Sequence, residues 1–297
     1  MILLDFSNII VGSIMVSSRV PDEERFSENF IRHLVLNSIR SYRKKYHEKY
    51  GEMVICTDYL SSWRKDAFPY YKAHRKVQRE KQQQTGGMDW KALFETIARI
   101  TDELKIHFPY KVVQIPHAEG DDVIAVLAKQ AKEPCLIVSS DKDFNQLYKY
   151  KTIRQFSPMR QKMLNGIDPE RYLKEHIIRG DKGDGIPNIL SPDNCIVEGE
   201  RQKPITKKKV EEWMKQDRWP GIYWKRNREL IDFDYIPSSL AQAIEKNYKL
   251  QTPPNRSGLL NYFVKHRLKM LIEHIGCLLY TSPSPRDRTR SRMPSSA

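Results

Sequence analysis

The stretch from His117 to Phe144, HAEGDDVIAVLAKQAKEPCLIVSSDKDF, constrains this chain more than any other. Glu119, Asp121 and Asp122 stand just before the apolar run Val123 to Ala128, and Asp141 and Asp143 just after the run Cys135 to Val138. The first run reads as a helix and the second as a buried strand. If the helix packs antiparallel to the strand that follows it, its N-terminus and the strand's C-terminal end meet at one edge of a sheet. All five carboxylates then converge. Like charges a few ångströms apart raise one another's pKa and oppose folding. Divalent cations are the usual compensation, and hard oxygen ligands suit magnesium or manganese.

Two further strands end in acids. Ile2-Leu3-Leu4 runs into Asp5, which either caps a turn through Ser7 and Asn8 or joins the other carboxylates. Met53 to Thr57 runs into Asp58, Lys111 to Ile115 leads into the acidic stretch, and Thr152 to Phe156 reads as another strand. Between them, Phe26 to Tyr46 has a helical period closed by Gly51, and Trp90 to Phe108 sets Leu93, Ile97, Ile100, Leu104 and Phe108 on one face. Strands alternating with helices of this length predict an α/β fold with a mostly parallel central sheet flanked by helices. Ligands of such sheets sit outside the carboxyl ends of the strands. Asp5, Asp58, Glu119, Asp121, Asp141 and Asp143 all fall there, which favours a metal site over a set of caps.

Ser61 to Gly87 breaks the α/β rhythm. Trp63, Phe68, Tyr70 and Tyr71 mingle with Arg64, Lys65, Lys72, Arg75, Lys76, Arg79 and Lys81, against only Asp66 and Glu80. Bases interleaved with aromatics suit a single nucleic-acid strand, and the bland alternative is a solvated basic loop or helix. The polar run Gln82 to Gly87 is expected to be mobile. A formal charge of +14, from 51 basic and 37 acidic residues, agrees with a polyanionic substrate.

Asp168-Pro169-Glu170 opens a short helix to Ile178, and Arg179 to Asn188 follows as a glycine-dense turn. Its backbone N–H groups could meet phosphate oxygens, or its carbonyls a cation such as K⁺. Lys207, Lys208 and Lys209 open a helix through Trp213 and could grip a duplex backbone or simply form a solvated helix end. Asp232 and Asp234 read as structural, and Leu259 to Ile275 as a final helix. From Gly276 onwards the chain is rich in Ser, Pro and Arg, and is read as a disordered tail, appended or read-through.

The longest apolar run is six residues, Val123 to Ala128, so no membrane span is expected. Cys56, Cys135, Cys195 and Cys277 are scattered with no CxxC pair, and no leader pattern follows Met1. A reducing cytoplasm is the natural setting. The eight histidines show no HxxxH or HxH spacing, which disfavours zinc.

Taken together, LLDFS, CTDY, WRKDAFPYYK, EGDDVIAVL, SSDKDF, GDKGDGIP and LIDFDYIP resemble the flap endonuclease and 5′ nuclease family, over roughly residues 2 to 275. The resemblance implies a structure-specific 5′→3′ exonuclease and flap endonuclease that hydrolyses RNA primers and DNA at 5′ ends during replication. It implies two Mg²⁺ ions, with Mn²⁺ as a substitute. Asp5, Asp58, Glu119 and Asp121 would surround the first, and the catalytic Asp141 and Asp143 would hold the second with Asp184. Asp181 and Asp122 would stand in the outer shell. Lys72 and Arg79 match the arch cations that approach the scissile phosphate and offset transition-state charge. Gly180 to Pro187, with Lys182, Gly183 and Gly185, would be the helix–three-turn–helix element on the downstream duplex.

The implied organisation is a metal-binding core over residues 1–160 with an arch at about 61–87, a helical DNA-binding region over 161–275, and the tail 276–297. The implied partners are DNA and RNA–DNA duplexes with 5′ ends or flaps, and a single-strand binding protein or sliding clamp, for a monomeric enzyme. A PIN-type ribonuclease would share the sheet and the acids, but would usually lack the long basic arch and the GDKGDGIP turn. A haloacid dehalogenase-type phosphatase would want an Asp where Ser7 stands. A non-catalytic DNA-binding relative is disfavoured because every acid of the set is present.

Overall fold

The computed structural model describes residues 1–276 apart from 18, 85–87, 216–221 and 256. Six strands form one sheet: β1 (Ile2–Asp5), β2 (Met53–Cys56), β3 (Lys111–Val113), β4 (Cys135–Val138), β5 (Ile153–Ser157) and β6 (Lys162–Leu164). Their order is β3-β2-β1-β4-β5-β6, parallel throughout except where β6 pairs antiparallel with β5. The turn that returns β6 carries Gln161 at φ 51, and its polar sequence gave no sign of a strand.

The first helices are α1 (Phe6–Val16), α2 (Asp22–Arg25), α3 (Glu28–Tyr50), α4 (Trp63–Ala67), α5 (Ala73–Gln84), α6 (Trp90–His107) and α7 (Gly120–Gln130). They are followed by α8 (Pro169–Arg179), α9 (Lys207–Lys215), α10 (Trp224–Ile231), α11 (Ser238–Leu250), α12 (Leu259–Lys265) and α13 (Lys269–Glu273). The single final helix expected over Leu259 to Ile275 is broken in two, with Arg267 at φ 55 between the halves. Residues 82–84 belong to α5. The remainder of the expected mobile run, at 85–87, and the tail from 277 lie outside the described residues.

The short strands are apolar because both sheet faces are covered. Ile2 and Leu4 of β1, and Leu136 and Val138 of β4, feed a core shared with α1, α3, α6 and α12. Leu3, Cys135 and Ile137 point the other way, into a core shared with α7 and α11. Side chains on successive strand residues alternate between faces, so one four-residue strand serves two cores. A third, smaller cluster joins Phe68 and Tyr71 of the basic segment to Ile177 of α8, Ile186, and Leu230 and Ile231 of α10. No helix among the described residues is long and apolar enough to cross a membrane.

The register decides where the acids go. Asp5 pairs with Cys56, two residues before Asp58, and Leu4 pairs with Val138, three residues before Asp141. The chain winds outward from β1 in one direction and from β4 in the other. The crevice at β1/β4 is therefore the switch point at which open α/β sheets bind ligands.

Candidate metal centre and nucleic-acid interface

Asp5 ends β1 and also caps α1, accepting from the backbone N–H of Asn8 at 3.1 Å, while Ser139 Oγ donates to its other oxygen at 2.6 Å. The cap and the site residue are the same side chain. Burial, with Asp58 and Asp141 near, pushes its carboxyl up to about 7. Burial also pushes Asp121 well above the carboxylate range, reinforced by Asp141 and Asp5. Asp141 is raised by burial with Asp184 and Asp181 near, although the N–H of Asp143 donates to it at 2.9 Å. Burial pushes Asp143 up to about 7 against the opposing pull of His176.

Asp58 stands at the exposed rim and accepts from the N–H of Gly120 at 2.7 Å, capping α7. Gly120 permits that approach: a Cβ there would lie 3.3 Å from Asp58 Oδ1 and 3.5 Å from the Cys56 carbonyl.

Three other acids are paired with cations. Lys72 Nζ donates to Glu119 Oε1 at 2.5 Å and lies 3.7 Å from Asp184 Oδ2. Burial alone would raise Glu119, but Lys72 and Arg64 hold it at about 2. Arg75 donates to Asp184 Oδ1 at 2.6 Å and to the carbonyl of Gly183 at 2.9 Å. Tyr71 Oη lies 2.8 Å from Glu119 Oε2 and 2.9 Å from Asp184 Oδ2. His176 Nε2 lies 3.2 Å from Asp181 Oδ2, and this contact holds Asp181 at about 2 against its burial.

The two sets differ in what they need. Among the described residues, no lysine or arginine is ion-paired with Asp5, Asp121 or Asp141. Three close carboxylates, Asp5 buried and Asp121 and Asp141 half-buried, each with a raised pKa, are the donor set a divalent cation would neutralise, so the residues fit such an ion.

The expectation for Arg64 needs correction, and the surroundings of Asp122 and of the turn after α8 bear on it. Asp122, expected in an outer shell, is fully buried and turned to Arg64, with Arg64 Nη2 at 2.8 Å and Trp63 Nε1 at 3.2 Å, and it accepts from the N–H of Glu119 at 3.0 Å. Arg64, expected on nucleic acid, is buried in that pair, bonded to Glu119 and to the carbonyl of Leu230, so it has no donors left for phosphate. The turn after α8 does not hold its backbone open. Asp181 Oδ1 accepts from the N–H of Asp184, and the carbonyls of Asp181, Gly183, Asp184 and Pro187 accept from Ile186, Arg75, Lys72 and Asn227 respectively.

The glycines of this turn serve close packing. At Gly180 (φ 68) a Cβ would sit 2.4 Å from the Ile186 carbonyl, and at Gly185 (φ 76) 3.0 Å from the Tyr70 carbonyl. A Cβ on Gly183 would lie 3.1 Å from Asp181 Oδ1. Lys182 is exposed at the turn.

A groove of about 690 Å³ leads away from Glu119 along the basic segment, lined by Lys65, Lys72, Arg75, Lys76 and Arg79 on one side and Phe94 on the other. Arg79 stands over the rings of Trp90 and Phe94, at 5.2 and 4.8 Å from their centroids. Lys76 is exposed, and Lys207, Lys208 and Lys209 lie exposed at the start of α9. That helix does not follow the turn at once, because residues 190–206 intervene without a helix.

Two residues missed by the sequence reading are Tyr71 and His176. His176 was weighed only against histidine spacings, whereas its partners are acids on other elements. The tyrosine at 172, one helical turn before it, was the available signal.

Residues 3–176 match the 5′-3′ exonuclease, N-terminal resolvase-like domain, and residues 168–278 match the T4 RNase H C-terminal region. Ribonuclease H of Enterobacteria phage T4 is 36% identical over 293 residues, covering 92% of this chain and 94% of its own. Flap endonuclease Xni of Shewanella sp. (strain MR-4) is 33% identical over 139 residues, 43% of this chain and 48% of that protein. In fold, the chain resembles a phage T5 protein crystallised with metal ions, with a TM-score of 0.58 at 18% identity, over 84% of this chain and 96% of that one. It also resembles a phage T5 flap endonuclease in a product-like complex with DNA and metal ions, with a TM-score of 0.56 at 16% identity, over 84% and 97%. The acids at the carboxyl edge of a parallel sheet and the helical region that packs on them thus coincide with the two matched regions, and the chain belongs to the 5′-3′ exonuclease family with a C-terminal region of the T4 RNase H type.

Proposed function

We propose that the protein is a structure-specific 5′ nuclease, a 5′→3′ exonuclease and flap endonuclease acting on RNA primers and DNA at the 5′ ends of duplex or flap substrates. The observation that carries this reading is the trio of buried Asp5 and half-buried Asp121 and Asp141, without a paired lysine or arginine among the described residues, beside Asp58 and Glu119, which line a basic groove. Asp5, Asp58, Glu119 and Asp121 would hold one Mg²⁺, and Asp141, Asp143 and Asp184 a second, with Mn²⁺ able to replace either. Two bound divalent ions supply nucleophile activation and leaving-group stabilisation for an in-line displacement.

The chain's own residues position the substrate. Lys72, at the edge of the carboxylates, would meet the scissile phosphate and stabilise its added negative charge in the transition state. Its ammonium, which donates to Glu119 here, would be free to meet phosphate if Glu119 held a divalent ion. Arg79, farther along α5, would hold the next phosphate while its stacking on Trp90 and Phe94 fixes its direction. Arg75, Lys76 and Lys65 would follow the strand through the groove, where the exposed rings of Tyr59 and Phe94 could stack on unpaired bases. Lys182 and Lys207 to Lys209, all exposed, would neutralise duplex phosphates.

Labelled 5′-flap, nicked and RNA–DNA duplexes incubated with Mg²⁺, with and without EDTA, test this reading. Release of short 5′ products that EDTA abolishes is expected, and cleavage insensitive to EDTA would overturn it.

A further inference from the structure

His176 lies in the last turn of α8 with its ring between two carboxylates from different elements. Nδ1 is 3.4 Å from Asp143 Oδ1 and Nε2 is 3.2 Å from Asp181 Oδ2. One donor atom from each of Asp143, His176 and Asp181 lies within 4.8 Å of the other two. Donors bonded to one ion at about 2.1 Å stand roughly 3–4 Å apart, so a small contraction would close this trio on a cation.

The ring's orientation is fixed from its far side. Tyr172 Oη is 3.2 Å from His176 Nδ1 and 3.2 Å from Asp143 Oδ1, and the two rings meet edge-on at 5.5 Å. A consistent order of donors runs from Nδ1–H to the phenol oxygen, and from the phenol O–H to Asp143. Nε2–H then donates to Asp181, and an ion bound there would take the place of that proton on the Nε2 lone pair. Histidines that ligate metals characteristically have their other ring nitrogen held by a hydrogen bond in this way.

We propose that His176 is a nitrogen ligand of the second ion, which makes that site a mixed nitrogen–oxygen site selective for a transition-metal dication such as Mn²⁺ over Mg²⁺. The inference rests on the two-ion reading above and adds to it a ligand and a metal preference. Imidazole suits manganese, cobalt or zinc, whereas Mg²⁺ keeps to oxygen. The first site, built from carboxylates alone, gains no such preference. The two sites would therefore differ in selectivity within one active centre.

The test uses the full chain, stripped of metal and titrated with Mn²⁺ alone or Mg²⁺ alone, followed by calorimetry and by pulsed electron paramagnetic resonance for ¹⁴N coupling to bound manganese. The variants are His176→Ala, and His176→Gln, which keeps a neutral hydrogen-bonding side chain between Asp143 and Asp181 but removes the imidazole. A ¹⁴N coupling is expected in the parent chain and absent from both variants. Mn²⁺ affinity at one of two sites should fall about tenfold or more in both variants, with Mg²⁺ affinity changed less than about threefold. Two manganese ions bound without ¹⁴N coupling, or a coupling that persists in both variants, would overturn the inference and leave the two-ion reading standing. A chain that binds no divalent ion at all would overturn both.

Discussion

The backbone N–H of Lys72 donates to the carbonyl of Asp184 over 2.7 Å. This bond ties the basic segment that lines the groove to the turn that contributes a carboxylate to the centre. Arg75 and Tyr71 reach the same aspartate by their side chains. Seating a strand in the groove and setting Asp184 for an ion are therefore coupled through one short joint.

Lys72→Ala should lower single-turnover cleavage of a 5′ flap by about 10²–10³-fold, the usual consequence of removing one preorganised charge from a transition state. Flap binding should change far less, because Arg75, Lys76 and Arg79 remain in the groove. A fall in binding as large as the fall in rate would reassign Lys72 to ground-state attraction.

Gly185→Ala probes the joint itself. Gly185 has φ 76, and a Cβ would meet the Tyr70 carbonyl and His74 Nδ1 at 3.0 Å and Lys72 N at 3.3 Å. Strain in such a conformation costs about 1–3 kcal/mol, so chemical denaturation should show a loss of that order. Cleavage should fall with it, since the Lys72–Asp184 contact is the neighbour that must give.

Arg64 and Lys76 should separate structure from binding. Arg64→Ala leaves Glu119 and the fully buried Asp122 without their guanidinium and should destabilise the fold by about 3–5 kcal/mol. The side chain of Lys76 is 83% exposed, and Lys76→Ala should leave stability within about 0.5 kcal/mol. Its effect should appear in DNA affinity, with the salt slope reduced by about one counterion.

The metal-free protein should lose stability as pH rises. Asp5 and Asp143 are raised from 3.8 to about 7 on folding, so between those values the folded chain holds protons that the unfolded chain has released. Stability falls with pH wherever the folded state binds more protons. Glu119 works in the opposite sense, but only as pH falls from 4.5 towards about 2. Melting temperatures measured in EDTA should thus be lower at about pH 8 than at about pH 5, and added Mg²⁺ should restore them at the higher pH. A metal-free melting temperature that stays level or rises across this range would contradict the assignment of Asp5 and Asp143 as acids raised by burial.

Much of the architecture was legible because the strands advertise themselves. Ile2 to Leu4 and Cys135 to Val138 are apolar at every position, as strands buried on both faces must be, and each is followed by an acid at its carboxyl end. Alternation with long amphipathic helices then left a parallel sheet as the economical solution. What escaped was set by contacts distant in sequence. Nothing local in the WRKD motif tells that Arg64 turns inward to Asp122 and the Leu230 carbonyl rather than outward to phosphate. His176 pairs with Asp143, 33 positions earlier in the numbering, and with Asp181 across a glycine turn. Asp5 was ambiguous in sequence between a cap and a site residue, and the structure gives it both positions at once. The break between α12 and α13 lies in a left-handed Arg267 that no glycine announces.

Asp141→Asn tests the central claim most directly, because it removes one charge from the trio Asp5, Asp121 and Asp141 while nearly preserving shape. Single-turnover cleavage of a labelled 5′ flap in Mg²⁺ should fall by about 10³-fold or more, the scale of several kcal/mol of lost metal-assisted stabilisation. Affinity for the same flap, measured without cleavage in Ca²⁺, should change less than about threefold, since the groove cations are untouched. Cleavage at the parent rate in Asp141→Asn would contradict the account.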